Sequence, residues 1–403
     1  MALHPILSAT LRNKTGAILI ALQIAITLAI VCNAVFIINE RLDQIGRPTG
    51  MDVDNIFVIQ SVGFSPKYNP ADARRMDMDM LRAMPGVVDA APISDIPLSG
   101  GGWGDALATK PGEGVSEQSG NIFTVDTHGL NAFGLKLVAG RNFRPDEILE
   151  EDSQSTDFPK VVIVTRAMAD KLFPNGDALG KTVYEGAGGR HAATIIGIVE
   201  RMQGAWVHWT GLERSVLAPI VYNQSFTRYI VRTEPGRRDA VMQAARQKLD
   251  TSNPGRFIQK VRSLADYRAK SYADDTAMAT MLGVVTALIL TITAFGIVGL
   301  ASFSVNQRIK QIGTRRALGA RRRDIVRYFM IENWMITSIG VVVGSALAVG
   351  VNFWLVNLFS IEPLTWYYIP VAILALWVLG LLAVMGPALR AARVPPAIAT
   401  RTV

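Results

Sequence analysis

Four long apolar runs leave this chain few options, because each must either cross a bilayer or be buried on every side. The first, AILIALQIAITLAIVCNAVFII at 17–38, has 22 residues. At a helical rise of about 1.5 Å per residue it reaches roughly 33 Å, enough for a hydrocarbon core. Only Gln23 and Asn33 interrupt it with strong polarity. Arg12 and Lys14 precede it, as in a signal peptide, but the run exceeds an h-region and leads into NERLD without an A-x-A cleavage site. A retained signal-anchor helix is therefore expected. The other three runs come late, as spans at 276–305, 329–359 and 367–389, with seven residues joining the last two into a tight hairpin. Trp366, Tyr367 and Tyr368 open the fourth span, where amphipathic rings favour the headgroup zone. Gly340, Gly344 and Ala348 in the third span, and Gly296 and Gly299 in the second, let helix backbones approach closely in lipid.

Charge fixes the expected orientation. The chain is 50% hydrophobic and 18% charged, against about a quarter charged in an ordinary soluble domain. Its net charge of +8 would fit nucleic acid, were the charge not segregated. Outside residues 39–275 lie 13 of the 41 basic residues, eight of them between Arg308 and Arg327, and only Asp324, Glu332 and Glu362 among the 33 acids. The 39–275 block holds the remaining 28 basic and 30 acidic residues. Short basic loops stay in the cytoplasm. The reading is thus a multi-pass protein of a bacterial inner (plasma) membrane: a cytoplasmic segment 1–16, a first span 17–38, an extracytoplasmic block 39–275, a cytoplasmic loop 306–328 and a cytoplasmic tail 390–403. Arginines wedged between spans form no nucleic-acid face.

The 39–275 block reads as folded α+β, with two subdomains expected. Strands are expected at NIFVIQSV (55–62), KVVIVT (160–165), ATIIGIVE (193–200), APIVYN (218–223) and RYIVRT (228–233), and amphipathic helices at 70–84, 166–173 and 237–250. SGGGWG (99–104) reads as a flexible loop. GDALGKT (176–182) approaches a phosphate-binding G-x-x-x-x-G-K-[ST] loop, but Gly176 and Gly180 are one residue too close. It also follows a helix and enters a strand, the reverse of the order that loop requires. It is read as a turn, and the chain as having no nucleotide site and no enzymatic role. Cys32 is the only cysteine, and His4, His128, His191 and His208 share no ligand-like spacing, so no metal and no cofactor are expected. No Ser-His-Asp or clustered-carboxylate pattern marks the exported block.

The order of motifs resembles the FtsX/MacB-type ABC transporter permeases along nearly the whole chain. QRIKQIGTRRALGARRRDIVRYFMIE (307–332) is similar to the family's loop signature between spans two and three. FGLKLVAGRNF (133–143), VVIVTRAMADKLFPNGDALGK (161–181) and ATIIGIVE (193–200) resemble stretches of MacB-type periplasmic core domains, and ALRAARVPPAIATR (388–401) resembles the family's closing motif. The resemblance implies four membrane helices, with the MacB-like core inserted between the first two. It implies a dimer, homo- or heteromeric with a second permease, bound to cytoplasmic ABC ATPase subunits that hold the ATP. An adaptor and an outer-membrane channel are the further partners it implies. The function implied is mechanotransmission driving efflux of a peptide, antibiotic or similar substrate. Activation of a cell-wall hydrolase, or lipoprotein extraction, stands as the alternative. Gln311 occupies the family's usual Glu position, which loses a charge and is consistent with a diverged paralogue.

The ATPase-coupling residues are read as Ile309, Gln311, Ile312, Gly313, Arg315, Arg316, Ala317, Leu318, Gly319, Ala320 and Arg321. Ile309 and Ile312 fall on one helical face, Arg308, Arg315 and Arg316 are free for polar contacts, and Gly319 permits a bend. The plainer alternative is that these arginines only anchor topology. Residues 261–282 contain no Gly or Pro and are expected to run as a continuous helical rod into the second span, with a counterpart through 38–45. Gln23, Asn33 and Asn352 are either functional or hold helices together, and Glu332 is expected to pair with Arg327 or a neighbour.

Overall fold

The computed structural model describes residues 14–112, 115–152, 157–186, 189–359 and 362–395. His4, Arg12, most of the 1–16 segment and the end of the 388–401 motif lie outside the described residues. The chain divides into two compact units, Met1–Gly46 with Asp275–Val403, and Arg47–Asp274.

Among the described residues, the first unit holds four helices long and apolar enough to cross a membrane. They run over Lys14–Gly46, Ala273–Gln307, Arg322–Phe359 and Tyr368–Ala392, and a short helix at Ile309–Ala317 forms an elbow between the second and third. The small residues have a visible purpose. A Cβ added at Gly340 would stand 2.6 Å from the Ala21 carbonyl oxygen, and one at Gly344 would stand 2.9 Å from Ala25. Ala348 continues the row, fully buried. The first and third spans touch backbone to backbone along this line, as small residues allow in lipid. Gly296 serves a different contact, packing under the Gln23 amide, whereas Gly299 meets nothing within 4 Å.

Intramembrane polar residues link helices. Gln23 Nε2 donates to the Ile292 carbonyl at 3.3 Å, and the hydroxyls of Thr27 and Thr293 meet at 2.8 Å. Asn33 Nδ2 donates to the carbonyls of Ala29 and Ala348, and Asn352 Oδ1 accepts the Leu364 N–H. These bonds favour the bundle-holding reading of Gln23, Asn33 and Asn352.

The second unit contains two main sheets. In the four-stranded sheet the spatial order is Arg256–Ser263, Ile56–Gly63, Phe226–Thr233, Val87–Ile93, antiparallel throughout. The helices Pro70–Arg82 and Arg238–Ser252 cover one face, packing Leu81 and Leu249 on Phe57, Ile59 and Tyr229. The first of them starts on a local signal: Asn69 Oδ1 accepts from the N–H groups of Ala71 and Asp72, with Pro70 at the first helical position. A buried polar network sits in this core. Arg256 bonds Asp77 and donates to Ser252 Oγ, and Tyr229 donates to Asp77 at 2.8 Å. Burial pushes the Asp77 carboxyl up while the Arg256 bond holds it back.

The seven-stranded sheet runs Leu137–Gly140, His191–Val199, Val161–Thr165, Ser215–Ala218, Glu117–Thr124, Trp103–Ala108, Thr182–Glu185. Thr182–Glu185 also pairs with His191–Val199, which closes six strands into a ring around Leu107, Ile122, Val162, Val164 and Ile195. At one end of that ring Glu185 is buried and hydrogen-bonded to Asp105. Burial and this second carboxylate raise the Glu185 pKa to about 8.

Three expectations need correction. APIVYN splits into Ser215–Ala218 and Ile220–Tyr222, since Pro219 lacks the N–H a ladder needs. Trp103 and Gly104 begin a strand rather than ending a loop. Residues 261–282 are not one rod. Residues 261–263 finish the strand Arg256–Ser263, Ser263 caps a helix over Leu264–Ser271, and Tyr272 interrupts it before Ala273. The counterpart does run on: the first span's helix continues to Gly46. GDALGKT lies between the helix Arg166–Leu172 and the strand Thr182–Glu185, with the Gly180 N–H bonded to the Ile195 carbonyl.

Candidate coupling site

The elbow begins where the second span ends. Arg308 leaves helical geometry at φ −106°, ψ 13°, and its guanidinium turns back towards the third span. It donates to both carboxylate oxygens of Glu332 at 3.0 Å and to the Tyr328 hydroxyl at 3.3 Å. The two charged side chains are only 15% and 9% exposed, so the pair is desolvated and each charge depends on the other. Glu332 thus pairs with a residue 24 positions away rather than with Arg327, because burial favours a partner across the helix interface over an exposed neighbour.

The helix Ile309–Ala317 is fastened along one face. Ile312 and Gly313 are buried against the bundle, and Ile312 packs in a cluster with Ile325, Tyr328 and Phe329. The Arg315 guanidinium lies 4.9 Å from the centre of the Tyr328 ring, a cation–π distance. Arg316 donates to the Val394 carbonyl, tying the elbow to the chain just beyond the fourth span. The helix then stops in a Schellman turn: Ala320 N–H bonds the Arg315 carbonyl, Gly319 N–H bonds the Arg316 carbonyl, and Gly319 adopts φ +98°. The third helix starts at once, with Asp324 Oδ2 accepting the Arg321 N–H at 2.9 Å. An acid there also suits the positive end of the helix dipole.

This arrangement revises the roles expected from the sequence. Arg308 and Arg316 are engaged within the chain, and Arg315 is stacked on Tyr328 while remaining exposed. Ile312 and Gly313 face inward and Ile309 is half-buried. Gln311, Ala317, Gly319 and Arg321 are exposed, Ala320 is half-buried, and Leu318 is 84% exposed at the tip. An apolar side chain presented this way on a helix bolted from behind suits insertion into a groove. Tyr328 and Val394 went unnoticed in the sequence. Tyr328 falls three residues after buried Ile325 on the face of the third span that meets the elbow, a periodicity that could have marked it.

At the opposite end of the second span, Arg41 of the first helix donates to Asp275 at 3.1 Å, with Gln44 beside it. Neither residue stood out in the sequence, although Asp275 is the last acid before a long apolar run.

Comparison with known families assigns this architecture. Residues 17–248 match the MacB-like periplasmic core domain family, and residues 283–396 match the FtsX-like permease C-terminal family. The chain belongs to the FtsX/MacB-type ABC permease family. Among relatives of this permease, the macrolide export ATP-binding/permease protein MacB 2 of Aeromonas hydrophila is 26% identical over 415 residues, covering 98% of this chain and 59% of that protein. MacB of Wolinella succinogenes is 25% identical over 408 residues, covering 97% and 58%. The uncharacterized ABC transporter permease YknZ of Bacillus subtilis is 25% identical over 282 residues, 68% of this chain and 67% of that one. The permease described here therefore spans under two thirds of the length of the two MacB relatives. The solved periplasmic region of MacB from Actinobacillus actinomycetemcomitans aligns with 55% of this chain and 94% of its own at 15% identity, with a TM-score of 0.34. The segment between the first two spans is extracytoplasmic, and the chain is a membrane protein.

Proposed function

We propose that this permease is one subunit of an ABC export system and transmits conformational work from a separate cytoplasmic ATPase to its extracytoplasmic domain. Both termini and the elbow face the cytoplasm, in keeping with the segregation of basic residues. The ATPase binds the ATP, and its groove receives the elbow tip. A second permease completes the dimer, and an adaptor with an outer-membrane channel carries the released substrate onward. The substrate class is a peptide or, in line with the macrolide export of the MacB relatives, a macrolide-like antibiotic.

One observation carries this reading: Leu318 stands 84% exposed on a helix whose opposite face is held by Arg308–Glu332, Arg315–Tyr328 and Arg316–Val394. A tip so braced passes displacement to the spans instead of bending locally. The test is ATPase stimulation by the reconstituted permease. Leu318→Asp should abolish stimulation while insertion and folding persist, and Gln311→Glu should keep it. Full stimulation by Leu318→Asp would remove the elbow from the coupling path.

A further inference from the structure

We propose that a cavity among the four spans, beside the root of the elbow, holds one acyl chain of a membrane phospholipid. The cavity has a volume of about 230 Å³. All four spans contribute, through Ile20 on the first, Leu300 and Ala301 on the second, Phe329 and Ile336 on the third and Val384 on the fourth. Arg308 and Glu332 stand at its polar end, already paired with each other. Asn333 also lines it; this residue is 5% exposed, and its amide nitrogen has no hydrogen-bond partner among the described residues.

Size, access and chemistry converge on a lipid tail. An apolar cavity of about 150 Å³ already binds benzene, so this one accommodates a stretch of hydrocarbon. Left unfilled, its walls lose dispersion contacts in proportion to the void. Two wall residues, Leu19 and Phe303, are 50% and 57% exposed, so the lining continues onto the outer surface of the first and second spans, where lipid tails lie. A chain can slide in sideways from the bilayer without crossing water. The Arg308–Glu332 pair leaves no net charge for an ionic ligand, whereas the lone amide of Asn333 is a donor for a neutral acceptor such as an acyl ester carbonyl. Because Arg308 and Glu332 line the same cavity, its occupant also braces the residue at which the elbow starts. This goes beyond the transport reading and does not depend on it.

The test uses the full chain in nanodiscs containing a phospholipid with a diazirine on one acyl chain, irradiated and mapped by mass spectrometry. Adducts are expected on Phe329 or Ile336, which are 5% and 7% exposed and reachable only by a chain that enters. Ala301→Phe should fill the space and eliminate these adducts, while labelling of lipid-facing Val342, 71% exposed, stays unchanged. Ala301→Leu provides the same comparison should the larger residue prevent folding. Absence of buried adducts in the unaltered protein, or their persistence in both filled variants, would each overturn the assignment.

Discussion

The two ends of the second span are held differently. Near the extracytoplasmic domain, Arg41 of the first helix, which continues to Gly46, pairs with Asp275 in the first turn of the second. That second helix begins at Ala273 after the break at Tyr272, and the two paired side chains are 22% and 5% exposed. At the other end the helix stops, and Arg308 buries its charge against Glu332 and Tyr328 on the third span. One end is a link between neighbouring rods. The other is a corner, where the chain changes direction and Arg308, Arg315 and Arg316 each contact another part of the bundle. The corner ties the second span to the third through buried charge, whereas at the far end the Arg41–Asp275 pair ties the first span to the second.

That contrast can be broken one contact at a time. Glu332→Ala should cost about 3–5 kcal/mol by stranding the buried Arg308 guanidinium, and Arg308→Met with Glu332→Leu should recover most of it. Reversible unfolding in mixed micelles, read as a double-mutant cycle, measures both. Gly344→Leu should cost about 1–3 kcal/mol, because the larger side chain must displace Ala25 and Leu28 on the first span. At the far end, Arg41→Ala takes the guanidinium away from Asp275, whose side chain is 5% exposed, but the part-exposed Arg41 site admits water in its place. A smaller cost of about 1–3 kcal/mol is therefore expected in the same assay. A cost there equal to that of Glu332→Ala would erase the difference between the ends.

Titration within the exported unit should leave both ends untouched. The Glu185 carboxyl, facing Asp105 and Arg190, titrates at about 8 in the folded chain against an ordinary 4.5. The folded state holds this proton more tightly, so the associated stability is complete below pH 4.5 and is lost as pH rises towards 8. Glu185→Gln should therefore lose less stability than the unaltered chain between pH 5 and 8, by about 3 kcal/mol, in pH-dependent thermal melts. An unchanged pH profile would show that Glu185 is not protonated in the ring.

Much of the membrane unit was legible because lipid imposes a single-residue code: twenty apolar residues make a span, and small residues mark close approach. Gly319 was legible too, since few other residues accept its left-handed geometry. What stayed hidden depended on partners remote in sequence. Glu332 has Arg327 nearby in sequence, and only the packed bundle shows Arg308 reaching it. Ile312 and Leu318 are both apolar residues of the elbow, and nothing local says that one faces in and the other out. Residues 261–263 fit a helix by propensity, yet pairing with Ile56–Gly63 makes them strand, as tertiary contacts commonly override weak local preference.

The most direct measurement is site-specific cross-linking of the elbow to the ATPase with which the permease works. With Cys32 replaced by serine, single cysteines would be placed at Leu318 and at Ile312 and treated with a short bifunctional reagent in membranes. Leu318→Cys should cross-link to the ATPase, and Ile312→Cys, 5% exposed against the bundle, should not. Cross-linking through residue 312 with none through 318 would mean that the elbow meets its partner by the opposite face, contradicting a tip braced from behind.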